Sequence, residues 1–346
     1  MIKTGILGGE TMAAGELIRI LINHPDVDLR TVASDSLAGR PVEEVHRGLV
    51  GDVSMRIEPD LDPEGLDVAF LCGEQWMARN WMERHAAKCG EADVRVIDLT
   101  GAFRNGEMDM VYGFPEFNRK PLVRGATRAS LPSPVAMAVE LALFPLAKNM
   151  LLSGDISAAV RIASTESFGD RGDAREDVSS ASFEKVACST RLDPIAPIEN
   201  RPDGEDAARE VASLLRAVQP SFGGGVRLHV SRDRDTPRGI IAEVDVPLIT
   251  SLGELRRLFG EAYEDHNFTY PVENVPAVLD VANTNKCLVY IGYPADGEGA
   301  ADGRIVRITT VIDNLLKGAA GNAVHCLNLL FGLSERTGLA LKASVY

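Results

Sequence analysis

Apolar residues in the first third of the chain fall in short runs divided by glycines and amphipathic stretches. Ile2 to Leu7 reads as a buried strand. It leads into the glycine-bearing turn Gly8–Gly15 and then an amphipathic helix, Glu16 to Asn23, closed by His24-Pro25. Asp28 to Ala33, Leu66 to Cys72 and Val94 to Leu99 are further buried strands. Strands that alternate with helices at this spacing imply a parallel sheet covered on both faces.

The most informative stretch is Ser130 to Asn149, SLPSPVAMAVELALFPLAKN. Met137, Leu141, Phe144 and Leu146 can share one helical face. Ser133 suits the N-cap, where its hydroxyl accepts a first-turn N–H, and Pro134 suits the first helical position. The N-terminus of such a helix favours anions and nucleophiles, but its strongest nucleophile here is a serine hydroxyl.

Beyond this helix the pattern changes. Ile156 to Ala163, Gly223 to Val230, Gly239 to Val246, Cys287 to Ile291 and Ile305 to Ile312 read as strands, with a helix at Leu252 to Tyr263. The polar stretch Ser164 to Asp206 separates the first two, and Asp296 to Gly303 reads as a hairpin turn. An apolar helix from Ala319 to Phe331 must be buried and is expected to pack back on the first domain. The expected architecture is a Rossmann-like parallel-sheet domain, 1–134 plus 318–346. It carries an inserted α+β, mostly antiparallel, domain at 135–317.

Composition narrows the function classes. The chain has 346 residues, 45% of them apolar, and 36 basic against 50 acidic residues give a net charge of −14. That balance argues against nucleic acid and anionic membrane surfaces as partners. No apolar run reaches the length of a membrane span, and MIKTGILGG is too short and glycine-rich for a signal peptide, so a cytoplasmic protein is expected. Five scattered cysteines (72, 89, 188, 287, 326) lack CxxC spacing, and no metal site is expected.

Strand, glycine turn and helix form the dinucleotide-binding layout. Gly8, Gly9 and Thr11 are the candidate phosphate-side residues, and Ser34 and Arg40 stand where a ribose or its 2′-phosphate is read. A strict GxGxxG is absent, and Glu10 brings a negative charge to the turn. A tight turn that holds no nucleotide is the alternative reading.

Six segments together resemble the N-acetyl-γ-glutamyl-phosphate reductase family, related to the aspartate-semialdehyde dehydrogenases. They are GELIRILINHPDVDL (15–29), VIDLTGAFR (96–104), VYGFPEFNR (111–119), TPRGI (236–240), NTNKCLVYI (283–291) and IDNLLKGAAGNAVH (312–325). The resemblance covers the whole chain. It implies NADPH-dependent reduction of an acyl phosphate to a semialdehyde in arginine biosynthesis, through a cysteine thioester and a histidine acid–base. A thiolate suits the first step because a hydroxyl is far less ionised near neutral pH. An imidazole suits the second because its pKa lies near working pH.

The resemblance also implies site residues. Asn285, Asn314 and Gly318 would lie by the nicotinamide and phosphates, with NADP as cofactor. Arg104, Tyr112, Glu116, Arg238 and Lys317 match substrate-side motifs for a small acidic substrate, although the DNLLKGAAG stretch can also be a purely structural turn. The family's cysteine position falls on Pro134, or on Ser133 with a one-residue shift. Its histidine loop corresponds to Leu192–Ile198, with Pro194 at the catalytic position, and no histidine occurs between His85 and His229. Reductase activity is therefore expected to be weak or absent, with an acidic metabolite as the bound molecule. The alternatives are a working reductase that uses Ser133 or Cys188, and a non-catalytic interaction subunit. Homo-oligomerisation through the second domain's sheet, or assembly with an active paralogue, is also implied.

Overall fold

The computed structural model describes residues 1–163, 202–233, 236–248, 250–294 and 305–343. The first part of the chain lays down β1 (Ile2–Leu7), α1 (Met12–Leu21), β2 (Val27–Ala33), a short α2 (Val42–Val45) and β3 (Val68–Leu71). It continues with α3 (Gln75–Glu91), β4 (Arg95–Asp98), β5 (Val111–Tyr112), α4 (Pro115–Val123) and β6 (Arg128–Ser130). The six strands form one sheet in the order β2-β1-β3-β4-β6-β5, every neighbouring pair parallel. This is the expected Rossmann-like sheet. Helix α1 begins earlier than the sequence pattern suggests, because Thr11 caps it by accepting the Ala14 N–H at 3.2 Å.

Helix α5 (Pro134–Lys148) links this sheet to a second one. The second sheet is built from β7 (Ile156–Ala163), β8 (Val226–Asp233), β9 (Ile240–Pro247), β10 (Thr269–Val272), β11 (Cys287–Gly292) and β12 (Ile305–Ile312). Its order is β10-β11-β12-β9-β7-β8. The three central pairings are antiparallel and the two outer ones, β10–β11 and β7–β8, are parallel. The sheet is thus mixed rather than purely antiparallel. Helices α6 (Pro202–Val218) and α7 (Leu252–Tyr263) accompany α5 on its inner face. A π-helical turn, Leu316–Ala320, then enters α8 (Gly321–Leu330), so the last helix starts two residues later than expected. Helix α8 packs on α1 and α4, back against the first sheet.

The face of α5 shared by Met137, Leu141, Phe144 and Leu146 is buried as expected, and so is the rest of the helix. Every residue from Val135 to Ala147 is buried. The second sheet covers one side, and the turn at Leu316–Ala320 presses on the other. A helix enclosed in this way brings its N-terminus to the seam between the two sheets. No helix among the described residues is long and apolar enough to cross a membrane.

Candidate active site

The seam is organised by the start of α5. Strand β6 ends at Ser130, whose hydroxyl donates to Asp98 Oδ2 at 2.7 Å, and Leu131 N donates to the Asp98 carbonyl at 2.8 Å. These bonds fix the chain just before Ser133. Ser133 then caps the helix as its pattern predicts, with Oγ accepting from Ala136 N at 3.2 Å and Pro134 at the first helical position.

A carboxylate from α6 sits on this helix start. Glu210 Oε2 accepts the Ser133 hydroxyl at 2.7 Å, and its Oε1 accepts the Ser133 N–H at 3.0 Å. The Tyr112 hydroxyl reaches the same Oε1 at 2.9 Å, and Arg104 Nε lies 3.3 Å from it. Arg104 is itself aimed by donating to the Leu131 carbonyl at 2.7 Å. Only a tenth of the Glu210 side chain is exposed. Arg104 and Tyr112 are sequence candidates, whereas Glu210 is a functional group the sequence reading missed.

Tyr112 also touches a second acid. Its hydroxyl lies 2.7 Å from Glu140 Oε1, and Glu140 is fully buried inside α5. Burial, and then the charge of Glu210, push the Glu140 carboxyl well above the usual carboxylate range. Burial and the two glutamates likewise push the Tyr112 phenol up. A phenol has one proton to give, so one of the two acids must donate to it. Glu140 is that donor, which leaves Glu210 as the charged member of the chain.

The turn at Asp313–Gly321 closes the other side. A Cβ on Gly318 would lie 2.8 Å from Pro134 Cβ, so the absence of a side chain there lets the turn lie against the helix start. Asp313 Oδ1 accepts Leu315 N and Leu316 N at 2.9 and 3.0 Å, and Asn314 Oδ1 accepts Gly239 N at 2.7 Å. Asn285 is 1% exposed, and neither polar atom of its side chain has a hydrogen-bond partner. A Cβ on Gly321 would stand 2.6 Å from Asn285 Oδ1, which places this orphaned amide beside the same turn.

Other sequence candidates stand elsewhere. Lys317 and Glu116 are fully buried and paired at 2.6 Å, with the Thr269 hydroxyl donating to Glu116 at 2.8 Å. Burial alone would push the Glu116 carboxyl up, but Lys317, helped by His266 and His325, holds it down at about 2. Arg238 bridges Glu16 of α1 (2.7 Å) and Asp313 (2.8 Å), tying the first sheet's leading helix to the closing turn. Arg40 is half exposed and lies 3.6 Å from Glu44, and Ser34 is buried with its hydroxyl 3.2 Å from that of Ser36. Cys188, Pro194 and the whole Leu192–Ile198 loop lie outside the described residues. So do the Ser164–Phe168 segment and the Asp296–Gly303 turn.

The glycine turn after β1 suits a close backbone approach. Gly8 has φ +79°, and a Cβ there would be 2.2 Å from the Gly73 nitrogen. The Gly8 and Gly9 N–H groups both donate to the Ala33 carbonyl, and His46 Nε2 lies 2.6 Å from the Gly9 carbonyl oxygen. Glu10 keeps a buried carboxylate oxygen without a partner in this turn. The orphaned Asn285 amide fits a nicotinamide dinucleotide, whereas the space at Gly8 is filled by the Gly73 backbone. Glu10 opposes the dinucleotide's phosphates.

The cysteines offer no thiolate among the described residues. Cys72, Cys89, Cys287 and Cys326 are all buried, and burial pushes each thiol up, Cys326 to about 12. Of the described histidines near the candidates, His325 is fully buried with Nε2 2.7 Å from Glu335 Oε2, and His229 on β8 is exposed. Trp81 fills the core and donates to the Leu61 carbonyl at 2.7 Å, whereas Trp76 is exposed and bonded to Glu74. No group of three or more potential metal ligands occurs among the described residues.

Comparison with known proteins adds three findings. Residues 3–124 match the family model described as the NAD-binding domain of semialdehyde dehydrogenase. The chain is 35% identical over 348 residues to the N-acetyl-γ-glutamyl-phosphate reductases of Parabacteroides distasonis and Bacteroides thetaiotaomicron, covering 100% of each chain. Among solved structures, it resembles aspartate semialdehyde dehydrogenase II from Vibrio cholerae with TM-score 0.70 at 17% identity, covering 96% of this chain and 99% of that one. It also resembles the Candida albicans aspartate semialdehyde dehydrogenase solved with NADP, with TM-score 0.69 at 14% identity and coverage of 96% and 98%.

Proposed function

The chain belongs to the N-acetyl-γ-glutamyl-phosphate reductase family, and from that premise we propose that it is a member with weak or no reductase turnover. In this reading it keeps the family's binding scaffold for a nicotinamide dinucleotide and a small acidic metabolite. The observation that carries it is the occupancy of the α5 N-terminus. Ser133 and Pro134 stand where the thiol is expected, and the Glu210 carboxylate takes the Ser133 N–H and hydroxyl there. Reduction of an acyl phosphate by hydride proceeds through a thioester, so it needs a thiolate at that place. The four described thiols are buried, and burial disfavours the charged form of each.

In this proposal NADP lies with its nicotinamide end by Asn285, Asn314 and Gly318, and with its phosphates and ribose by Gly8, Gly9, Thr11, Ser34 and Arg40. When bound it would supply hydride. Arg104 and Tyr112 orient the acidic metabolite, and Glu116, Lys317 and Arg238 hold the surrounding elements in register. The outer face of the second sheet carries the half-exposed Leu288 and Tyr290, which supports a homo-oligomer built through that sheet.

Calorimetry with NADPH and NADP⁺, paired with a phosphate-release and NADPH-oxidation assay on the same sample, tests the reading. Saturable dinucleotide binding without NADPH oxidation in the presence of N-acetyl-γ-glutamyl phosphate is expected. Full reductive turnover that survives replacement of every cysteine would overturn it.

A further inference from the structure

We infer that Ser133 and Glu210 form a nucleophile–base pair that hydrolyses an acyl phosphate without a nicotinamide cofactor. The inference rests on the family reading only for its substrate class. A hydroxyl becomes a useful nucleophile when a base lies within hydrogen-bond reach and a third group orients that base. Here Ser133 Oγ is 2.7 Å from Glu210 Oε2, while Tyr112 and Arg104 fix the other carboxylate oxygen at 2.9 and 3.3 Å.

The proton count along the chain supports the roles. Glu140 is buried inside α5 and shares the Tyr112 hydroxyl with Glu210. With Glu140 holding the extra proton, the phenol donates towards Glu210 and the negative charge rests on the residue that faces the serine. A carboxylate is a weaker base than an imidazole. That suits the pair to a carbonyl with a good leaving group, which an acyl phosphate has and an amide lacks.

In the first half-reaction Glu210 Oε2 takes the Ser133 hydroxyl proton as Oγ bonds to the acyl carbon. The tetrahedral adduct collapses, the bond from that carbon to the phosphate oxygen breaks, and the departing phosphate takes the proton from Glu210. In the second half-reaction Glu210 takes a proton from water as its oxygen adds to the serine ester, and Ser133 Oγ leaves with that proton. Acyl phosphate and water become carboxylic acid and phosphate, and nothing is oxidised or reduced.

The test incubates the purified full chain with N-acetyl-γ-glutamyl phosphate, and separately with acetyl phosphate, in the absence of nicotinamide. Phosphate release is followed together with intact-protein and peptide mass. Release well above the buffer rate is expected, with an acyl adduct on the Ser133 peptide. Ser133→Ala should return release to the buffer rate and remove the adduct. Glu210→Gln keeps an acceptor for the Ser133 N–H yet takes no proton, and should slow release by roughly 10²- to 10⁴-fold. Circular dichroism confirms that both variants are folded.

Phosphate release unchanged by either folded variant, or no release at all, overturns the inference and leaves the weak-reductase reading standing. A second arm adds NADPH. Its oxidation in step with phosphate release would overturn both readings, whereas release with no oxidation supports both.

Discussion

The fold holds two polar clusters that both contain residues the sequence marks as substrate-side. In the Lys317–Glu116–Thr269 cluster one cation meets one carboxylate at 2.6 Å, and both side chains are fully closed from solvent. In the Ser133–Glu210–Tyr112–Glu140 cluster two carboxyl groups share one phenol, and the cation, Arg104, stands at the edge with 22% of its side chain exposed. The first is balanced in charge and sealed, and the second has an acid in excess and opens to solvent through Ser133 and Arg104. A sealed, balanced pair can hold the elements around it in register. The second cluster has a nucleophile, a base and a route in.

The largest effect is expected from breaking the sealed pair. Lys317→Met leaves Glu116 as an uncompensated buried carboxylate, and should lower unfolding stability by about 3–5 kcal/mol in urea titration. Adding Glu116→Gln removes the stranded charge and should recover much of that loss. Ordinary surface behaviour in Lys317→Met would mean that the cluster is hydrated and that the contrast is false. Acid titration sharpens the same point. The Glu116 carboxyl is held down at about 2, against an ordinary 4.5. A depressed folded-state value contributes stability above the unfolded value and loses it as pH falls through the folded one. Between pH 4.5 and 2 the native protein should therefore lose about 3 kcal/mol more than Glu116→Gln does.

The open cluster should respond in the opposite pH direction. Glu140 is raised by burial and by Glu210. A raised folded-state value gives stability that is present below the unfolded pKa and is lost as pH rises through the folded one. Glu140→Gln has no proton to lose, so its stability relative to the native protein should improve steadily from pH 4.5 upwards. The slope is bounded at about 1.4 kcal/mol per pH unit for one group. Parallel pH curves for the two proteins would mean that Glu140 titrates as it does in the unfolded chain and is ionised near neutral pH.

Much of this arrangement was legible in the sequence, for identifiable reasons. The β1–α1 unit is visible because the apolar run Ile2–Leu7 meets a glycine at the one turn position with positive φ. The start of α5 is visible because Ser133-Pro134 is a cap and a first-turn proline in succession. Glu210 was not found, because the sequence reading places no helix between the polar stretch ending at Asp206 and the strand from Gly223, whereas α6 spans Pro202–Val218. Its signal was the spacing. Ala207, Val211, Leu214 and Leu215 form the buried stripe, and Glu210 lies three residues after the first and four before the third, inside that stripe. Glu140 carried a similar signal, as a lone acid within an otherwise apolar helix. The split between Lys317 and Arg104 was not legible. Motif matching assigns both to the substrate side, and only packing seals one and leaves the other at the rim.

The smallest effect separates capping from chemistry at Ser133. Replacement by alanine removes the acceptor for Ala136 N and one of the donors to Glu210, but Glu210 keeps the Ser133 N–H, Tyr112 and Arg104. A lost N-cap of this kind lowers stability by about 1 kcal/mol. Ser133→Thr restores the hydroxyl and should return most of it in thermal or urea melts. If Ser133→Ala instead cost as much as Lys317→Met, the hydroxyl would be part of the fold's essential polar core. The two clusters would then both be structural, and a serine nucleophile would lose its footing. A small stability change in Ser133→Ala, set beside complete loss of phosphate release, would leave the hydroxyl with a chemical role that its cap does not explain.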